Sequence, residues 1–287
     1  MRHNICVDAL VAVAAMVCVA CEQVSVDVPA ADRPANVHLR IAAAAAFDDG
    51  ATRAAEPADA WCSRIDVAVY DSTARIVGMQ QRSDEAGFGC VDLALPAGSY
   101  YVVILGHSSE AAATTTDAGR ITFRNNIVTD TFIYADSITI ADEAVEEDVI
   151  LCRCVAKVMF CLPEPLPSDI HAVRFYYTGG SSTLSALTGY GSVNSRQTVV
   201  VDNVGQTTYE LYTFPHSYTG TLKLTVTALA ADGTSMQTLV PRLVAVQQNC
   251  ISRFATSLFG EDPQAAAACS ATVMCDPEWT DTYDYTW

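Results

Sequence analysis

Among the side chains able to do chemistry, the cysteine at position 21 has the most informative surroundings. Arg2 and His3 give the chain a short basic start, every residue from Ala9 to Ala20 is apolar, and Ala20 stands directly before Cys21. These twelve apolar residues fit the hydrophobic region of a secretory signal. A membrane span needs about 20. Small side chains before a cleavage point suit a narrow peptidase subsite, and Val19-Ala20-Cys21 has the form of the end of a lipobox, with Cys18 where Leu is usual. Cys18 follows Val17 and is a poorer acceptor, and Cys6 has no apolar run before it. Residues 1–20 are therefore expected to be a lipoprotein signal peptide, with the Cys21 thiol lipidated as the first mature residue. An ordinary signal peptide with an incidental cysteine is the plainer alternative. Each buried methylene contributes ~0.8 kcal/mol, so one acyl chain binds marginally whereas two or three hold a protein stably on a membrane.

The remaining reactive groups form no recognisable catalytic unit. Eight of the eleven cysteines follow Cys21, in a body expected to be exported, where disulfides can form. Their spacing is not that of a zinc site. Cys62 with Cys90 and Cys269 with Cys275 are the expected pairs, while Cys152 and Cys154, on one face of a strand, read equally as buried free thiols. There is no GxSxG elbow, HExxH, P-loop or dinucleotide glycine motif. His38, His107, His171 and His216 lie on separate segments. A triad of Ser108, His107 and an acid is conceivable, but triads are defined by geometry, and strand-end or surface residues are the simpler reading. Asp48-Asp49 and Glu146-Glu147 read as solvated loop charges, and no calcium loop is present. No catalytic, metal-binding or cofactor-binding residue is assigned, and no enzymatic activity is expected. In the tail CDPEWTDTYDYTW the aromatics Trp279, Tyr283, Tyr285 and Trp287 alternate with acids. They suit a packed edge strand better than a sugar platform, because stacking sites usually sit on rigid loops.

The elements around these groups are strands. Val37, Leu39 and Ile41 alternate with His38 and Arg40, and RIDVAVYD and ARIVGMQQ read as a hairpin across Asp71-Ser72. SYYVVILGH follows a Pro96-Ala97-Gly98 turn, and ITF, TDTFIY and SITI are short β segments. Ala42 to Ala60 reads as a loop. Asp148 to Leu162 is expected to be one long central strand, its even positions from Ile150 to Leu162 uniformly apolar on one buried face. HAVRFYYT, RQTVVV, TYELYTF, TLKLTVTALA and SMQTLVP continue the pattern, and VQQNCISRFATSLFG reads as a closing strand. Short strands punctuated by Gly, Pro and Asp give an all-β fold of two sandwiches in tandem. The organisation expected is signal 1–20, tether 21–36, an N-terminal sandwich 37–147 and a C-terminal sandwich 148–287.

Composition sets limits on partners. Hydrophobic residues make up 51% of the 287, enough for sizeable cores. A formal charge of −17, with only scattered Lys and Arg, disfavours nucleic acid and anionic headgroups.

Several of these stretches resemble a known family. LPAGSYYVVILGH resembles the Leu-x-x-Gly-x-Tyr strand of transthyretin-like sandwiches. ILCRCVAKVMFCL resembles the strand that opens the second half of fimbrillin-associated proteins, VQQNCISRFATSLFG is similar to their late strand, and DPEWTD to their tail. The chain thus resembles the FimB-type fimbrial anchors, relatives of the fimbrillins that build donor-strand pili on Gram-negative outer membranes. The resemblance implies a non-enzymatic outer-membrane lipoprotein, held through acylated Cys21 and joined to other fimbrial subunits by strand addition. A surface lipoprotein that binds glycans or host ligands is the alternative. Stalk precursors of the family are cut after an arginine near the N-terminus, losing the lipid and a first strand. Of the arginines here, Arg33 precedes Pro34, Arg40 lies inside the first strand, and Arg53 has no strongly apolar strand after it until Ile65. An uncut anchor from Cys21 to Trp287 is expected.

Overall fold

The computed structural model describes residues 34–44, 56–259 and 281–285. The first half holds β1 (Val37–Ala44), β2 (Glu56–Pro57), β3 (Arg64–Tyr70), β4 (Arg75–Arg82), β5 (Cys90–Leu93), β6 (Gly98–His107), β7 (Ile121–Thr122), β8 (Thr131–Ile140) and β9 (Val145–Arg153). The second holds β10 (Ala156–Cys161), β11 (Ala172–Thr178), β12 (Thr183–Ser185), β13 (Tyr190–Gly191), β14 (Gln197–Asp202), β15 (Thr208–Thr213), β16 (Thr219–Leu229), β17 (Ser235–Thr238), β18 (Arg242–Gln247), β19 (Cys250–Ala255) and β20 (Asp281–Tyr285). The only helical turns among the described residues are the short 3-10 segments Ala58–Ala60 and Arg124–Asn126. The protein is all-β, as its alternating pattern requires.

The first sandwich is one hydrogen-bonded sheet folded over itself, with strand order β2-β1-β9-β8-β6-β3-β4 and β5 also on β1. The fold occurs where β8 and β9 pair through two residues only, Phe132 with Arg153 and Ile133 with Cys152. Leu39 and Ile41 of β1 and Val149 and Leu151 of β9 then face Ile65 and Val67 of β3 and Val102 and Ile104 of β6 in one core. The expected β3–β4 hairpin is present. Its turn is fixed by Asp71, whose Oδ1 accepts from Thr73 N at 2.7 Å and Ala74 N at 2.8 Å.

The second sandwich packs β15-β10-β19-β20 against β14-β11-β16, with β18 and β17 end to end along the outer edge of β16. Its core is centred on Phe160, stacked on Phe254 with ring centroids 5.0 Å apart, and on Phe175. A third cluster joins the halves: Val103 and Leu105 of β6 pack with Val155, Leu184, Phe214 and Ile251. β6 is therefore buried on both faces, which explains its unbroken apolar run. β12 adds to the joint by pairing with β7, Leu184 opposite Ile121.

Three expectations are corrected. Asp148 to Leu162 is two strands in different sheets, not one. Within β9 the odd positions Val149, Leu151 and Arg153 are buried while Ile150 and Cys152 are exposed. Within β10 the even positions Ala156, Val158 and Phe160 are buried. The parity switches at Cys154 and Val155, both buried in the joint, so the chain leaves the first sheet there and not at Asp148. The closing strand is likewise two: β18 lies on β16, β19 lies on β10, and the crossing is made at Gln248 and Asn249, the latter with φ 57°. Finally, Ala42–Ala44 continue β1, and Glu56–Pro57 pair with it, where a loop was expected.

Candidate functional site

For a chain that joins others by strands, the informative features are the places where a strand is held on two edges and where it is held on one. β1 is held on two. One edge runs parallel to β9 through eight pairs, from Val37 opposite Val145 to Ala44 opposite Cys152. The other is antiparallel to β5, from Val37 opposite Leu93 to Arg40 opposite Cys90, and then to β2. The alternation read in the sequence places Val37, Leu39, Ile41 and Ala43 in the core. The opposite face carries His38, whose Nδ1 lies 2.7 Å from Asp92 Oδ1, and Arg40, whose Nε donates to Asp148 Oδ1 at 2.6 Å. That hydrogen bond, with the charge of Asp148, raises the Arg40 pKa. Entry to the strand is fastened by Asn36. Its amide group exchanges two 2.8 Å bonds with the Leu95 backbone, while its N–H reaches Leu93 O and its carbonyl accepts from Val145 N.

Among the described residues β20 is held on one edge. It lies parallel to β19, Cys250 opposite Asp281 through Phe254 opposite Tyr285, at the end of its sheet. The tail's expected edge strand is thus present over Asp281–Tyr285. Trp279 and Trp287 lie outside the described residues, as do Cys21, the signal peptide, Arg33, Arg53, Asp48-Asp49 and the Cys269/Cys275 pair.

Catalytic groupings are poorly served. His107 meets an acid, Asp66, with Nε2 2.8 Å from Oδ2. Its Nδ1 accepts from the backbone N–H of Ser109 at 3.2 Å, which leaves Nε2 as the nitrogen facing Asp66. Ser108 takes no part in this pair: its hydroxyl accepts from Ser63 N. His107 is 0% exposed and Asp66 3%, so no substrate reaches them. The simple strand-end reading of His107 missed this burial, because Phe123 closes over the ring edge-on at 5.3 Å. Glu147 accepts from the Tyr134 hydroxyl at 2.8 Å. Among the described residues no group of three or more His, Cys, Asp and Glu is placed to hold a metal ion.

The expected Cys62–Cys90 disulfide is absent. Both are free, Cys62 buried behind β6 and Cys90 exposed on β5. Cys152 and Cys154 do not share a face, since Cys152 is exposed and Cys154 buried, its thiol donating to Thr131 O. Burial pushes the Cys62 thiol up to about 12 and raises that of Cys154 further, which keeps both protonated. Sequence reasoning also missed Arg153. Its side chain is buried at the joint, bidentate on Asp130 at 2.8 and 3.0 Å, 3.3 Å from Asn249 Oδ1 and 4.7 Å from the centroid of Phe132.

Residues 29–243 match the family model of the fimbrillin-A associated anchor proteins Mfa1 and Mfa2. No curated protein matches the chain. Among solved structures, a candidate adhesin from Bacteroides ovatus is 14% identical, with a TM-score of 0.46 over 72% of this chain and 77% of that one. The fimbrial anchor protein Mfa2 from Porphyromonas gingivalis is 9% identical, with a TM-score of 0.38 over 72% and 82% of the two chains. A fimbrial assembly protein from Parabacteroides distasonis is 10% identical, with a TM-score of 0.38 over 76% and 89%.

Proposed function

Because this chain belongs to the fimbrillin-A associated anchor protein family, whose members are fimbrial proteins of the cell surface, we propose that it is the lipid-held subunit at the base of a fimbrial filament. In this reading Cys21 is acylated and holds the protein on the outer membrane. β1 stays seated, and β20 is the strand that joins the protein to its neighbour. The observation that carries the reading is the double-edged pairing of β1. A subunit cut after Arg40 would lose part of an interior strand, and Arg40 is offered to a protease only as part of a doubly paired backbone. With no cut at Arg40, the lipidated segment stays joined to the folded body there.

A subunit that keeps its own first strand has no vacant groove there, so it joins as a donor. β20 suits that role for physical reasons. Among the described residues it has one neighbour, and it pairs in the slightly less stable parallel sense. An extended segment adding to a sheet gains affinity from backbone hydrogen bonds and specificity from alternate side chains. Two measurements test this. Mass spectrometry of the native N-terminus should find acylated Cys21, and a start at Ile41 or Ala54 would make the protein a stalk subunit instead. Removing residues 281–287 should abolish crosslinking to fimbrial subunits while leaving membrane attachment unchanged. Unaltered crosslinking would exclude β20 as the joint.

A further inference from the structure

At one end of the first sandwich, where β3 begins and β4 and β6 end, an open cleft of about 520 Å³ is lined by polar residues. This is within the range of small-molecule sites. Its charge is organised by two arginines in different states. Arg82 is neutralised, its Nε and Nη2 donating to the two oxygens of Asp84 at 2.9 and 2.8 Å. Arg64 instead donates to neutral carbonyls, Ser109 O at 3.0 Å and Glu110 O at 2.9 Å. Among the described residues no carboxylate forms a salt bridge with Arg64, although its charge is felt by Asp84, and two of its donors fix it in place. Ser63, Ser83 and Ser108 also line the cleft, the Ser108 hydroxyl accepting from Ser63 N. Ser109, one of the lining residues, is buried with its hydroxyl lacking a partner. Buried polar atoms left unsatisfied call for a bound water or ligand group.

We propose that this pocket binds an acidic sugar, a ring bearing one carboxylate and several hydroxyls. A planar carboxylate matches the free side of the Arg64 guanidinium, and the serines supply neutral hydrogen bonds around it. Asp84 and Glu110 at the rim accept from ring hydroxyls and repel ligands of higher negative charge. A neutral sugar leaves Arg64 unpaired, and a simple carboxylate leaves the rim acceptors unused. None of these residues belongs to β1 or β20, so the proposal stands or falls apart from the anchor reading.

The test uses the full mature chain and saturation-transfer NMR with four probes: glucuronic acid, N-acetylneuraminic acid, glucose and acetate. At least one acidic sugar should bind about tenfold tighter than glucose or acetate, about 1.4 kcal/mol. Arg64→Gln should abolish the preference. Ser83→Leu fills the cavity from an exposed position without touching the bonds of Arg64, and should abolish binding in a protein of unchanged fold. Equal binding of all four probes, no binding of either acidic sugar, or full binding by Ser83→Leu would overturn the proposal.

Discussion

Cleavage after Arg40 is the event that would turn this protein from an anchor into a polymerising subunit, and the structure sets its rate. A protease needs several residues on each side of the scissile bond in extended, unpaired form, so β1 must leave both β9 and β5. Opening exposes Val37, Leu39 and Ile41, all buried. At about 1.5 kcal/mol or more for each large aliphatic side chain, opening costs about 4.5 kcal/mol or more before any hydrogen bond is counted. With 1.4 kcal/mol per factor of ten, the open state is populated at about one part in a thousand or less. When opening and closing are fast relative to cutting, proteolysis follows that population. An arginine-specific protease should therefore cut after Arg40 at least about a thousandfold more slowly than in a free peptide of residues 36–44. Leu39→Ala removes a buried side chain at about 2–5 kcal/mol, and should speed the cut by about 30-fold or more. The assay is a time course of cleavage read by intact mass, with circular dichroism confirming that the body stays folded. Wild-type cleavage at the peptide's rate would refute the reasoning, as would a Leu39→Ala rate equal to wild type.

Four other outcomes are expected. Cys21→Ala should lose acyl-label incorporation and move from membrane to soluble fractions, and unchanged retention would remove Cys21 as the anchor. Asp130→Ala leaves the buried Arg153 guanidinium without its carboxylate and should destabilise by about 3–5 kcal/mol, measured by urea unfolding, whereas Asp130→Ala combined with Arg153→Met should recover much of the loss. In native protein, iodoacetamide should label exposed Cys90 and spare Cys62 and Cys154, whose raised thiol pKa values and burial withhold the thiolate; labelling of all three at one rate would contradict the packing. The Asp71 pKa is lowered by hydrogen bonds from Thr73 and Ala74, so its contribution is present above the ordinary carboxylate range near 4 and lost as pH falls through the lowered value; Asp71→Ala should flatten that part of the acid-unfolding curve.

The sequence by itself determined the β class, the β3–β4 hairpin, the start of β1 and the tail strand. Each depends on local alternation or turn chemistry: Val37, Leu39 and Ile41 at period two, Asp71 at the turn, tyrosines alternating with acids. Alternation shows that a face is covered but not by what. Only the tertiary structure decided that β1 lies between β5 and β9, the latter more than a hundred residues on, since a ladder partner leaves no mark on the strand it joins. The same limit hid the break at Cys154 and Val155. Ile150 and Cys152 look as apolar as Val158 and Phe160, and the parity changes because two different sheets claim the two halves of the run. Arg153 and His107 carry charge or polarity that favours the surface, yet they are buried because Asp130 and Asp66, distant in sequence, arrive to pair with them. Cys62 and Cys90 stay apart for the converse reason: Cys62 is buried in the first core while Cys90 faces solvent on β5. Patterns of one residue type against solvent are written locally; pairings between distant residues follow from how the sheets close over one another.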